Sequence, residues 1–242
     1  MSTAAIARTR DKVEIAMCGR VKTPDDWIEL RSDWKIRWGE IRDGGRRYNV
    51  PPTSTLNVVR YDPERGRGIE PMRWGLIPFW AENTKAMKLS TFNARVETVA
   101  KAAAFRNAWK AGRRCLVPVD NFFEWRKTDK QPFAIALANH STMALGGLWE
   151  TWTPKDGGDP IKSFTIITVP ADGTLGEIHD RAPVIIGAEN WGAWLGEEAA
   201  TIEELIAMLQ PIAAERLTMW PVSKALGSVK NEGPELVTPI SL

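Results

Sequence analysis

Residues 114–126, Arg-Cys-Leu-Val-Pro-Val-Asp-Asn-Phe-Phe-Glu-Trp-Arg, decide the fold. Two apolar runs, Arg114–Val119 and Phe122–Arg126, are too short for helices, are filled with β-branched and aromatic residues, and are parted by the turn formers Asp120 and Asn121. Segments of the same kind recur on both sides, at Leu56–Tyr61, Ile69–Trp74, Phe133–Leu137, Met143–Trp149, Phe164–Val169 and Val184–Ile186. Turn residues such as Asp156-Gly157-Gly158-Asp159 separate them. Helical spacing interrupts the series from Pro24 to Trp38, where Trp27, Leu30, Trp34 and Trp38 fall in step and Thr23 is placed to cap a proline-led first turn. It returns over Val96–Lys110, Glu189–Leu195 and Ile202–Ile212, the last opened by Thr201 and Glu204 at capping-box spacing. Strands and helices do not alternate, which argues against a doubly wound α/β fold. The expectation is a single α+β domain on a mostly antiparallel, curved pseudo-barrel sheet flanked by helices.

Composition narrows the function. No linker-like tract divides the 242 residues, no run of about 18 apolar residues is present, and the N-terminus has no signal-peptide block. A soluble, cytoplasmic protein is expected, monomeric and with no membrane partner. Two cysteines and two histidines, widely spaced, make neither a disulfide framework nor a zinc pattern, so no metal and no cofactor is expected. The net charge of +2 hides an asymmetry: 25 Lys+Arg against 15 Asp+Glu up to Lys127, then 7 against 15. A basic face for a phosphate backbone would leave such a trace. Twelve tryptophans supply core filling and, for some, platforms for unstacked bases.

Residues 1–16 carry no structural pattern and read as a disordered or removable leader, with the domain spanning 17–240. Cys18 follows Met17 directly. A lone cysteine is ordinarily a small buried apolar residue, but a chain starting at Met17 loses its methionine readily and exposes a 1,2-aminothiol. Such a group condenses with an aldehyde through its amine, and its thiolate then closes a five-membered thiazolidine. That chemistry needs proton carriers nearby. Glu124 sits in an aromatic strand, where burial would raise its pKa, although alternation equally permits a solvent-facing glutamate. His179, in Ile178-His179-Asp180-Arg181, is a loop histidine suited to acid/base work. Asn93-Ala94-Arg95-Val96-Glu97 combines an orienting amide with a phosphate-binding arginine and reads by itself as a helix start. Arg73-Trp74-Gly75-Leu76-Ile77-Pro78-Phe79-Trp80 offers a stacking ledge or core tryptophans.

Taken in order, Met17-Cys18-Gly19-Arg20, Tyr48-Asn49-Val50-Pro51-Pro52-Thr53, Arg73–Pro78, Asn93–Glu97, Phe123-Glu124-Trp125, Ile178–Arg181 and Pro221-Val222-Ser223 through Asn231 resemble the SOS response-associated peptidase family. The resemblance implies a pseudo-barrel fold and capture of abasic sites in single-stranded DNA. It implies that N-terminal Cys18 forms a reversible thiazolidine crosslink with the opened deoxyribose, that Asn93 positions amine and sugar, and that Glu124 moves protons at the amine. His179 would assist ring opening and the acid/base steps, reversal included. Arg20 and Arg95 would hold flanking phosphates and Trp74 would belong to the ledge. The preceding residues must leave, by methionine removal or by a cut at Met17–Cys18 made by the site itself. A general cysteine peptidase and a non-covalent single-strand binding module are the competing expectations, and replication-fork partners stay open.

Overall fold

The computed structural model describes residues 19–41, 46–83 and 91–242. Its strands are β1 (Val21–Lys22), β2 (Thr55–Asp62), β3 (Gly66–Trp74), β4 (Asn93–Arg95), β5 (Arg114–Val119), β6 (Asn121–Trp125), β7 (Pro132–Leu137), β8 (Met143–Trp152), β9 (Ile161–Pro170), β10 (Arg181–Pro183) and β11 (Leu217–Pro221). Short helices α1 (Trp27–Asp33), α2 (Arg106–Lys110), α3 (Gly173–Ile178), α4 (Trp191–Leu195) and α5 (Ile202–Ala207) lie between them. The order β9-β3-β2-β5-β8 is hydrogen-bonded throughout, and β8 pairs back onto β9, closing a five-strand barrel with one parallel junction, β3–β9. Past the point where β3 leaves, β4 runs parallel to β9, and β10 takes the opposite edge, so Thr168 pairs both Arg95 and Pro183. A second, antiparallel sheet has the order β1-β6-β7-β11.

Alternation along the strands builds two cores from one closed sheet. Leu56, Val58, Met72, Trp74, Cys115, Val117, Leu145, Phe164 and Ile166 share one cluster, which Val21, Phe122 and Ile135 of the second sheet complete. Their neighbours of opposite parity, Val59, Ile69, Leu116, Ala144 and Ile167, share the other with Trp27, Leu30, Trp34, Trp109, Trp194 and Leu205. Because α1, α2, α4 and α5 all pack into the second cluster and only Leu175 of α3 joins the first, the second is the barrel's outer layer and the first is its interior.

Several elements differ from their sequence reading. The first helix is shorter: Asp26, not Thr23, is the cap, accepting from the Ile28 and Glu29 N–H groups at 2.8 and 2.9 Å, while the Thr23 hydroxyl accepts from Arg47. Lys35, with φ of 51°, stands outside the helix, and Trp38 lies flat where a Cβ on Gly68 would sit 1.9 Å from its ring. Only 106–110 of the long helix expected over Val96–Lys110 is helical; the residues before it are successive turns that bury Val99 and Phe105. Asn93–Arg95 is a strand, not a helix start, because β9 has a free edge beyond β3. The strand expected at Val184–Ile186 begins three residues earlier, as β10, and continues as an isolated bridge of Ile185 to Leu145.

Candidate active site

β1 lies antiparallel to β6 with Val21 opposite Phe122, and the Phe123 N–H extends the ladder to the Arg20 carbonyl at 3.1 Å. One further pair sets Gly19, the first described residue, level with Glu124. Cys18 and the leader lie outside the described residues. Glu124 is 2 % exposed. The solvent-facing alternative fails because β6 lies inside the second sheet, between β1 and β7, and both its faces are covered. Phe123 and Trp125 pack with Val222, Leu226 and Leu236, and Glu124 shares by alternation the face of Phe122. Among the described residues the other buried glutamate is Glu150 on β8, bound to Arg113 and Asn107 at 2.6 and 2.8 Å.

Arg20 is turned inward. Its Nη1 donates to Asn49 Oδ1 at 2.6 Å and to the Leu226 carbonyl at 2.8 Å, and its guanidinium lies 5.8 Å from the Trp125 ring. Burial lowers its pKa. Asn49, 1 % exposed, donates Nδ2 to the carbonyls of Leu226, Ser228 and Asn231. Paired bridges between Val21 and Val50 bring it there. Arg20, half-buried, therefore forms an internal clamp between β1 and the segment around Leu226.

Trp74 is a correction. Its exposure is zero, its Nε1 donates to the Phe92 carbonyl at 2.9 Å, and its ring stacks against Phe164 with 6.3 Å between centroids. A ring enclosed in the barrel has no face for a base. The backbone then turns at Gly75, with φ of +113°, a conformation that suits glycine alone, and emerges at Phe79 and Trp80, both exposed. Those two rings are the exposed aromatics of this stretch.

The remaining motifs are tied together by ion pairs. Asn93 is half-buried on β4 opposite Ile166, and Arg95, at the end of that strand, is exposed. Glu97 pairs with Arg181 through both terminal guanidinium nitrogens, and Arg181 Nη2 also donates to the Thr168 carbonyl at 2.6 Å. His179 ends α3, its N–H bonded to the Leu175 carbonyl, and its Nδ1 accepts the Arg181 backbone N–H at 3.1 Å. Asp180 pairs with Lys127, just past β6. Burial is the largest cause that lowers the His179 pKa, and the charges of Lys127 and Lys130 act in the same direction. Arginine and glutamate 84 positions apart carry no local signal, so no sequence pattern pairs them. The segments holding Glu124, His179 and Asn93 are thus linked in series by Lys127–Asp180 and Arg181–Glu97.

Among the described residues no group of three or more His, Cys, Asp or Glu could hold a metal ion, and no helix is long and apolar enough to cross a membrane. Cys115 is buried in the barrel, where desolvation raises its thiol pKa far beyond the range in which thiolate forms. A groove of about 890 Å³ elsewhere is lined by Asp25, Glu29, Asp33 and Asp120 from the basic half of the sequence and by Glu189 and Glu215 from the acidic half. Both halves of the sequence thus contribute carboxylates to this one groove.

Barrel, second sheet and ordered motifs define a class: this chain belongs to the SOS response associated peptidase (SRAP) family, whose model matches residues 17–229. Among individual relatives, the abasic site processing protein YoqW of Bacillus subtilis (strain 168) is 35% identical over 228 residues, covering 91% of this chain and 99% of that protein. The abasic site processing protein YedK of Escherichia coli (strain K12) is 34% identical over 233 residues, covering 93% and 100%. HMCES of Gallus gallus, also an abasic site processing protein, is 30% identical over 266 residues, covering 93% and 79%. A crystal structure of a Bacteroides thetaiotaomicron protein superposes with a TM-score of 0.80 at 21% identity, covering 93% of this chain and 100% of that one, a likeness of fold.

Proposed function

We propose that this protein recognises abasic sites in single-stranded DNA and captures them covalently through Cys18. The observation that carries the reading is Glu124, a carboxylate sequestered on an interior strand beside the one that follows Cys18. The relatives named as abasic site processing proteins supply the substrate.

Loss of residues 1–17, by methionine removal or by self-cleavage at Met17–Cys18, frees the Cys18 amine. The amine adds to the aldehyde carbon of the opened deoxyribose, and the resulting carbinolamine loses water to give an imine. The Cys18 sulfur then adds to the imine carbon as the nitrogen takes up a proton, closing the thiazolidine. Glu124 shuttles the protons between nitrogen and departing oxygen, Asn93 orients amine and sugar, and His179 assists ring opening and reversal. Arg95, exposed at the end of β4, holds a neighbouring phosphate, and Phe79 and Trp80 receive bases. A lesion lacking its base enters such a site without the cost of base flipping. Neither a general peptidase nor a non-covalent module needs a free aminothiol.

The test is a denaturing gel of chain beginning at Cys18 with abasic single-stranded DNA. A shifted band is expected from the native chain and from Cys115→Ala, none that is stable from Cys18→Ala, and one forming at least about a hundredfold more slowly from Glu124→Gln. A stable band from Cys18→Ala would refute the thiazolidine.

A further inference from the structure

We infer that His179 is held as the neutral tautomer carrying its proton on Nε2, and that it therefore acts on substrate as a hydrogen-bond donor, with the Glu97–Arg181 ion pair as the device that positions it. The inference rests on the proposed capture chemistry for the identity of the substrate, but not for the state of the ring.

Geometry leads. A backbone N–H can only donate, so the 3.1 Å contact from Arg181 N makes His179 Nδ1 an acceptor and leaves the single proton of a neutral imidazole on Nε2. A doubly protonated ring would break that bond and bring two N–H groups face to face. The donor is well anchored. Arg181 is buried, opens β10 opposite Pro170, and binds Glu97 and the Thr168 carbonyl through its guanidinium, while Ala171 N donates to the Asp180 carbonyl at 2.8 Å. Cationic neighbours on the segment after β6, Lys127 and Lys130, oppose a second proton, and Asp180, which favours one, is itself paired with Lys127.

The consequence is a division of labour. With Nδ1 occupied, the resting ring has no lone pair for taking a proton, and a neutral imidazole is far too weak an acid to surrender one. Its Nε2–H can instead polarise the sugar oxygen. As the Cys18 amine attacks C1, the carbonyl π electrons move onto that oxygen and the hydrogen bond strengthens, while every proton transferred passes through Glu124 and solvent. A neutral donor works without changing its own protonation.

The ring state is measurable directly, because the chain has only two histidines and His140→Gln assigns them. Long-range ¹H–¹⁵N correlation at pH 7.5 should show His179 protonated at Nε2 and unprotonated at Nδ1. Glu97→Gln should bring in a detectable fraction of the Nδ1–H form, since Arg181 loses the charged one of its two guanidinium anchors; Glu97 is half exposed, so the variant should fold. In capture assays His179→Gln, which keeps a neutral donor, should retain a rate about tenfold above His179→Ala. An Nδ1–H or doubly protonated native ring overturns the inference, as does an unchanged ring in Glu97→Gln, or equal rates from the Gln and Ala variants. Absence of any crosslink from native protein whose ring is Nε2-protonated would instead refute the capture reading.

Discussion

A single position can be right in chemistry and wrong in direction, as the two tryptophans of one short motif demonstrate. Trp74 ends β3 with its parity pointing into the barrel, whereas Trp80, after the turn at Gly75, is 47% exposed and held by one bond from Nε1 to the Ala103 carbonyl. Trp80→Ala should leave the melting temperature nearly unchanged and weaken single-strand binding by about 1–3 kcal/mol, the usual loss of one stacked base. Trp74→Ala should do the reverse, costing about 3–5 kcal/mol of stability. Thermal melts and fluorescence-polarisation titrations of both variants separate the roles, and normal DNA affinity in Trp80→Ala would remove the ledge. At the same scale, His179 couples folding to pH. Its folded pKa lies below the ordinary value of about 6.5, so below that pH the unfolded chain binds the extra proton. The stability it contributes is complete above about pH 6.5 and declines as pH falls toward the folded pKa. Urea midpoints at pH 7.5 and 5.5 should differ less for His179→Gln than for the native chain.

Strands carry more of their own prediction than helices do here. Arg114–Val119 is read to the residue, and β2, β3, β6, β7, β8 and β9 to within a few, because alternation against a closed sheet writes itself into the sequence. Short pairings escape: β1 is two residues long and exists because β6 offers an edge, and β11 forms against β7 with no alternation to announce it. The Val96–Lys110 stretch has helical spacing but no capping side chain at Phe105, and its residues are held by the core rather than by a continuous helix. Where strands close the barrel, backbone approach sets the limit. A Cβ on Gly147 would lie 2.5 Å from the Thr165 carbonyl oxygen and 3.1 Å from Cys115 Sγ, at the seam of β5, β8 and β9. Gly147→Ala should therefore destabilise by about 1–3 kcal/mol through overpacking. Thr201→Ala, which removes the capping box of α5 at the surface, should cost about 1 kcal/mol. Denaturant melts give the comparison, and a Gly147→Ala loss no larger than that of Thr201→Ala would show that the seam relaxes.

The whole molecule converges on Asn49, because there the strand that follows Cys18 and the segment that ends the domain share one buried amide. The motif order in the sequence contained this residue, but no pattern gave its role: its partners lie 29 positions before it and 177–182 after it. Its Oδ1 takes a donor from Arg20 and its Nδ2 faces three carbonyls, all inside the protein, while Leu226 and Leu236 cover Phe123 and Trp125 on the strand that carries Glu124. Asn49→Asp tests this junction with almost no change of shape. The acceptor for Arg20 survives and gains charge, but an oxygen replaces the nitrogen that faced the three carbonyls. Buried acceptors then stand against one another without a proton between them, a loss of about 1–3 kcal/mol for the unsatisfied groups. Residues 226–231 should release first, since beyond the packing of Leu226 and the Arg20 donations to its carbonyl and that of Gly227, those three bonds are what tie the segment to the rest of the fold. Hydrogen exchange should accelerate there while the barrel strands stay protected, and capture of abasic DNA should fall with it as the cover over the Glu124 strand loosens. Equal protection of 226–231 in native and Asn49→Asp protein would show that packing of Leu226 and Leu236 alone holds the segment, and would detach the C-terminal strap from the chemistry at the chain's other end.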